Sequence, residues 1–167
     1  ARRSQVPRAL GPSRRVADPC TIVILGANGD LARRKLLPAI YQLAQDGLLP
    51  EGTNVLGLAR EEMSDDAFRE LMRDALRKSS DIPEFDEALW KRLAPRMHYT
   101  AGDLADDAAY RRLATRLTEL EAPLPPERRN RMFYLAVPPS VFSVIARSLS
   151  EHDLAPRVRD AAERPWA

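Results

Sequence analysis

The sequence predicts an α/β fold, in which helices cover both faces of a parallel β-sheet. The first observation behind this prediction is the apolar run at residues 21–25, which is rich in β-branched side chains, as strands buried on both faces are. The second is that four short apolar segments alternate with segments of helical length. The composition, 44% hydrophobic and 30% charged, is sufficient to bury one ordinary core.

The first half of the chain predicts two strands and three helices. The strand at residues 21–25 ends at a glycine turn, and an amphipathic helix follows that ends before Gly47. A second strand is predicted at residues 54–58. Ser64 is placed to cap the next helix, and a further helix is predicted at residues 84–93.

The second half predicts two more strands, each followed by a helix. The third strand is predicted at residues 97–100, and either Asp106 or Asp107 caps the helix after it. The fourth strand is predicted at residues 132–137. A proline pair then opens the last helix, because a proline in a first helical turn needs no N–H partner. The apolar residues that this helix carries are Val141, Val144, Ile145 and Leu149.

Residues 1–19 differ from the rest of the 167-residue chain and are predicted to form a flexible basic arm. They contain five arginines, one acidic residue and no hydrophobic periodicity. The arm therefore carries the excess positive charge of the chain. Residues 20–167 are expected to form one domain. Because these residues carry no excess of basic side chains, nucleic-acid binding is not predicted for them. Nothing after the last helix is long enough for another strand, so the sheet is expected to be incomplete on its C-terminal side.

Cysteine content and hydropathy exclude several classes of protein. The single cysteine, Cys20, excludes an internal disulfide framework and a cysteine-rich zinc site, and no metal site is predicted. No apolar run approaches the ~18–20 residues that span a bilayer. The arm lacks the apolar stretch of a signal peptide, although arginine-rich arms also occur in transit peptides. We expect a cytoplasmic protein.

The glycine turn after the first strand is the strongest candidate site. A helix N-terminus at the carboxyl edge of a parallel sheet favours a pyrophosphate, provided that glycines let the backbone approach it. The full G-x-G-x-x-G pattern is absent, because Asn28 and Leu31 stand where two of its glycines would be. An ordinary strand-to-helix turn therefore remains an alternative interpretation.

The end of the second strand carries Arg60, at the place that usually selects the dinucleotide. An acidic residue there accepts the ribose 2′-OH of NAD, whereas an arginine accommodates the 2′-phosphate of NADP. Glu61 and Glu62 follow directly, and either acid would pair with Arg60 or partly cancel its charge. Whether NAD is also accepted stays open, as does the alternative that Arg60 is only a solvated loop residue.

Five segments match one protein family in order and spacing. The longest is residues 24–41, ILGANGDLARRKLLPAIY, and the next are residues 55–60 and 133–142. Shorter matches lie within residues 99–110 and at residues 163–166. Together these segments resemble the glucose-6-phosphate dehydrogenases, and this resemblance is far more specific than a glycine pattern. It implies a Rossmann-type coenzyme-binding domain.

The resemblance implies that the glycine turn holds the coenzyme NADP. Asn28 stands where the family more often has Ser or Thr, and its amide would still donate a hydrogen bond to phosphate. Asp30 would fix the turn or the first helical residue, and its carboxylate would not be a ligand. Lys35 is similar to a family lysine, although a surface charge explains it equally well. The residues expected to wrap the pyrophosphate with backbone N–H groups are Gly26, Ala27, Asn28, Gly29, Asp30 and Leu31.

The remaining coenzyme contacts that the resemblance implies come from three later segments. Arg60 would hold the 2′-phosphate and stack along the adenine, and Asp103 and Leu104 would lie beside that ring. The residues expected along the nicotinamide side are Ala136, Val137 and Pro138.

The chain lacks the family's catalytic segments. In the family, a lysine in a Glu-Lys-Pro segment contacts substrate and coenzyme, and a later histidine is the general base. Neither segment is present, and His98 and His152 are expected to be structural, so no catalytic residue is predicted. The resemblance implies that the intact protein oxidises glucose 6-phosphate to 6-phosphogluconolactone with NADP⁺, the first step of the pentose phosphate pathway. We expect this chain alone to be inactive, and only the full-length protein to form a homo-oligomer.

A second hypothesis, from another functional class, stays open. A free-standing NADP-binding module would sense the coenzyme or regulate a partner without catalysis. A downstream reading frame that continues into a Glu-Lys-Pro segment favours the enzyme, and a stop codon favours the sensor.

Overall fold

A four-stranded parallel sheet forms the centre of the molecule. The computed structural model describes residues 17–126 and 129–155, so most of the basic arm and the match at residues 163–166 lie outside it. The strands, in chain order, are β1 (Cys20–Leu25), β2 (Asn54–Ala59), β3 (Met97–Ala101) and β4 (Asn130–Leu135). Their order across the sheet is β3-β2-β1-β4, with every neighbouring pair parallel. The predicted α/β class is confirmed.

Helices cover both faces of the sheet. They are α1 (Leu37–Gln45), α2 (Asp65–Arg77), α3 (Glu87–Leu93), α4 (Asp107–Glu121) and α5 (Phe142–Glu151). Ile22 and Ile24 of β1 point to the core under α1, α2 and α3, while Val23 and Leu25 point to the core under α4 and α5. This alternation explains why β1 is apolar at every position. Within the described residues, no helix is both long and apolar enough to cross a membrane.

The helix ends follow the predicted capping chemistry, with one difference in position. The Ser64 hydroxyl accepts a hydrogen bond from an N–H of α2, Asp106 caps α4, and Gly47 has the positive φ, +65°, of a residue just past a helix end. The predicted start of α3 was wrong: the helix begins at Glu87, because the Asp86 side chain accepts from two N–H groups of its first turn.

The helix after the glycine turn begins with a π-helical segment, Ala32–Leu36, ahead of α1. The N–H of Leu37 donates to the carbonyl of Ala32, five residues earlier. Pro38 supplies the physical reason, because it has no N–H and its ring would clash with the carbonyl four residues before it. A wider turn removes that conflict.

The fourth strand lies two residues earlier than the prediction of residues 132–137. It pairs with β1 over its whole length, and its last pair joins Leu135 to Leu25. Beyond it, the Ala136 N–H donates to the Leu25 carbonyl at 2.9 Å. Because β1 ends there at the glycine turn, β4 has no partner strand to continue along, and residues 136–137 begin a loop.

β4 is an edge strand, and its exposed side chains predict self-association. Among the described strands, only β1 pairs with it, and Met132 on its surface is 55% exposed. An apolar strand edge of this kind templates pairing with another chain. We expect sedimentation velocity to detect concentration-dependent association of the chain, and Tyr134→Lys on the same edge to reduce it. A compact monomer across the whole concentration range would contradict this prediction.

Candidate functional site

A groove of about 840 Å³ runs along the carboxyl ends of the strands. In open α/β sheets, ligands bind at this edge where the strand order reverses, which here is the crevice between β1 and β4. Nine of the twelve residues expected to contact coenzyme line this groove: Gly26, Asn28, Gly29, Arg60, Asp103, Leu104, Ala136, Val137 and Pro138.

Gly26 brings the turn after β1 directly against the loop after β4. Its φ is +89°, and a Cβ added there would lie 2.6 Å from the Ala136 carbonyl oxygen and 2.8 Å from Cγ1 of Val137. The Gly26 N–H donates to the Leu58 carbonyl of β2 at 2.8 Å. A single glycine thus joins three strand ends, and no other residue type has both the conformation and the space.

The backbone N–H groups of the turn do not all face the groove, in contrast to the expectation. Ala27 donates to a β2 carbonyl at 3.2 Å, and Gly29 donates to the Gly26 carbonyl at 2.9 Å. The first helical bond comes only at residue 33, so the N–H groups of Asp30 and Leu31 precede the helix ladder. Together with the N–H of Ala32, which also precedes this bond, they are the donors that the helix start offers to an anion.

Three of the expected residues do not line the groove with their side chains. Ala27 is buried in the core, and the Leu31 side chain is exposed outside the groove. Asp30 begins the helix as expected, and its exposed carboxylate lies 3.4 Å from Nε of Arg34, one turn along. Lys35 pairs with Asp81 on the surface at 3.1 Å, which agrees with the surface-charge interpretation.

Asn28 makes a contact that the sequence did not predict. Its Nδ2 donates to Oε2 of Glu61 at 3.0 Å. The amide N–H expected to donate to a phosphate therefore donates to a carboxylate in the structure. Its Oδ1 is buried without a hydrogen-bond partner. The Tyr99 hydroxyl, 3.5 Å from the same Nδ2, donates to the Glu61 carbonyl at 2.6 Å. Burial raises the pKa of Tyr99, which keeps this hydroxyl a neutral donor.

Arg60 lies exposed at the groove. Within residues 17–126 and 129–155, its side chain makes no ion pair or hydrogen bond. Glu61 is bonded to Asn28 instead, and Glu62 does not line the groove. The sequence left open whether either acid pairs with Arg60, and in the structure neither does.

The loop after β3 is held rigidly at the groove. The Asp103 carboxylate accepts from the Ala105 N–H at 2.9 Å, and the Tyr110 hydroxyl donates to the Leu104 carbonyl at 2.8 Å. A Cβ added to Gly102 would lie 2.5 Å from the Ala109 Cβ, so this loop packs tightly on α4.

Sequence reasoning missed six residues of the groove: Ala59, Glu61, Gly102, Ala105, Val141 and Val144. The first four are adjacent to predicted residues at strand ends, and that position was the available signal. Val144, one of the apolar residues of the last helix, is 48% exposed at the groove. A 3₁₀ turn, Pro139–Val141, precedes α5, so the α-helix begins at Phe142, later than predicted.

The remaining chemistry-bearing side chains have structural partners. His98 Nδ1 lies 3.2 Å from Asp65, and burial lowers the pKa of His98. His152 lies at the end of α5, and its Nε2 is 2.6 Å from Asp107, the first residue of α4. Burial raises the pKa of the Cys20 thiol, as expected of a residue that is not a nucleophile. Among the described residues, no group of three or more metal-ligating side chains occurs.

Comparison with known proteins gives consistent matches. Residues 23–166 match a family described as glucose-6-phosphate dehydrogenase, NAD binding domain. The glucose-6-phosphate 1-dehydrogenase of Chlamydia muridarum is 36% identical over 160 residues, which are 96% of this chain and 31% of that protein. The chain therefore spans less than a third of the length of this relative.

Two solved structures are similar in fold and sequence. A glucose-6-phosphate dehydrogenase in complex with its substrate glucose-6-phosphate has a TM-score of 0.72 and 32% identity, over 81% of this chain and 28% of that one. The Mycobacterium avium glucose-6-phosphate 1-dehydrogenase has a TM-score of 0.70 and 30% identity, over 83% of this chain and 28% of that one. The family match and these likenesses agree with the groove at the β1–β4 switch point. The chain belongs to the glucose-6-phosphate dehydrogenase family and contains its dinucleotide-binding domain.

Proposed function

We propose that the groove binds NADP⁺ and that this chain is the coenzyme-binding part of an enzyme that oxidises glucose 6-phosphate to 6-phosphogluconolactone. The relatives' names support this proposal, and one of the similar structures is a complex with that sugar phosphate. The chain spans 28% of that structure, so the reaction belongs to the longer protein.

The close approach of Gly26 to Ala136 is the observation that carries this proposal. A diphosphate bound at a helix N-terminus needs a bare backbone beside it, and no side chain separates these two loops. The N–H groups of Asp30 and Leu31 lie at the start of the same helix. The residues present therefore fit a dinucleotide whose two halves extend to either side of the turn.

The side chains divide the groove into two ends. Arg60 gives the β2 end a guanidinium that no acid in the described part of the chain pairs with, and a guanidinium binds a phosphate through two parallel hydrogen bonds. Val137 and Pro138 give the β4 end an apolar wall that positions the nicotinamide and excludes water. When bound, the coenzyme supplies the hydride acceptor. This chain binds and orients it.

A calorimetric titration of the chain with NADP⁺, and with NAD⁺ in parallel, tests the proposal. We expect one site per chain and tighter binding of NADP⁺. A sample with a cooperative unfolding transition that binds neither dinucleotide would contradict the proposal.

Arg60→Asp is expected to weaken NADP⁺ binding about 100-fold, since it replaces a bidentate cation by a charge that repels the 2′-phosphate. NAD⁺ has no 2′-phosphate, and a carboxylate at this place accepts its adenosine 2′-hydroxyl, so NAD⁺ should bind equally or more tightly and the preference for NADP⁺ should be lost or reversed. Arg92→Asp, the same charge change on an exposed helix position outside the groove, is the control. Equal effects of the two substitutions on NADP⁺ binding would remove Arg60 from the site.

A further inference from the structure

We propose that the Asn28–Glu61 pair reduces the groove's preference for NADP⁺ over NAD⁺, so that the site accepts both coenzymes. This inference rests on the proposed function, because it concerns the same groove. It adds a specificity-determining carboxylate that opposes Arg60.

The pair joins two loops that the sequence separates. Asn28 lies in the turn after β1, and Glu61 follows β2, yet Nδ2 of one is 3.0 Å from Oε2 of the other. Both residues line the groove beside Arg60. The hydrogen bond therefore anchors a negative charge at the end of the groove where Arg60 places a positive one.

The orientation of the Asn28 amide indicates that the carboxylate determines the geometry. With Nδ2 directed at Glu61, Oδ1 is buried without a partner, although unsatisfied buried acceptors are unfavourable. The reversed amide would place Oδ1 against the Glu61 carboxylate and lose this hydrogen bond. The Glu61 backbone is also held, since its carbonyl accepts the Tyr99 hydroxyl at 2.6 Å.

A fixed carboxylate affects the two coenzymes in opposite directions. It accepts a hydrogen bond from the 2′-hydroxyl of the adenosine ribose, which NAD⁺ has and NADP⁺ lacks, and it repels the 2′-phosphate that NADP⁺ carries there. Arg60 attracts that phosphate and is not neutralised by Glu61, because its guanidinium forms no ion pair with it. The net preference is the difference between two opposing charges and is therefore small.

Glu61→Gln tests the charge while keeping an acceptor for the Asn28 amide. We expect NADP⁺ to bind about tenfold more tightly to this variant, and NAD⁺ equally or less tightly, as follows from removing one close like-charge contact. The gain for NADP⁺ should decrease at high salt, because salt screens repulsion between exposed groups. Glu62→Gln, the same change one residue away and outside the groove, is the matched control and should leave both affinities within about twofold.

Asn28→Ala tests the hydrogen bond itself. Without its anchor, the Glu61 carboxylate is free to turn to solvent, so NADP⁺ binding should again tighten, and adding Asn28→Ala to Glu61→Gln should give little more. Additive effects, or a Glu61→Gln variant that behaves like Glu62→Gln, would overturn this inference and leave the proposed function intact. A folded chain that binds neither dinucleotide would overturn both.

Discussion

Gly26→Ala is expected to destabilise the chain by about 3–5 kcal/mol and to abolish coenzyme binding. Alanine at a φ of +89° is strained, which costs about 1–2 kcal/mol. The larger cost comes from the added methyl group, which would lie 2.6 Å from the Ala136 carbonyl oxygen. Neither the turn after β1 nor the loop after β4 can retreat freely, because the Gly26 N–H is bonded to the Leu58 carbonyl and the Ala136 N–H to the Leu25 carbonyl.

The control for Gly26→Ala is Gly47→Ala. Gly47 also has a positive φ, +65°, but an added Cβ would have no atom within 4 Å. It therefore isolates the backbone strain, and we expect it to cost about 1 kcal/mol without affecting coenzyme binding. Urea denaturation gives both stabilities, and calorimetry gives the affinities. Equal destabilisation by the two substitutions would mean that the contact with Ala136 contributes nothing.

The fold was predictable because each element carries its own signal. The β-branched run of β1, the Ser64 cap and Gly47 are local features, and the structure confirms them. The strand and helix boundaries that were predicted wrongly depend on residues elsewhere in the chain. β4 ends where β1 ends, and a local pattern does not contain that information.

The position of the groove was predictable, whereas the contacts inside it were not. The carboxyl ends of parallel strands share one edge, so residues that follow strands, such as Arg60 and Asp103, come together there. The hydrogen bond between Asn28 and Glu61 depends on how closely the first two loops approach. Val144 lines the groove and is exposed there, whereas the next residue, Ile145, is buried, and that difference depends on what packs against each side of α5.

One ion pair, Arg131 with Glu121, contributes to the attachment of β4 to the rest of the domain. Glu121, at the end of α4, is only 2% exposed. Nε and Nη2 of Arg131 donate to its two carboxylate oxygens at 2.7 and 2.6 Å, and Nη1 donates to the Leu154 carbonyl at 3.2 Å. One guanidinium thus connects the edge strand, the end of α4 and the segment after α5.

Arg131→Met is expected to cost about 3–5 kcal/mol, because it leaves the Glu121 carboxylate buried without its counter-ion. Adding Glu121→Leu should recover most of that loss, since a packed apolar pair can replace a buried ion pair at little cost. Lys35→Met is the control, because it breaks an exposed pair with Asp81 and should cost less than about 1 kcal/mol. Urea denaturation of the single and double variants measures all three. If Arg131→Met costs no more than Lys35→Met, solvent already reaches Glu121 and the pair does not hold β4. If adding Glu121→Leu restores the stability, the loss in Arg131→Met comes from the buried charge without a counter-ion and not from lost packing.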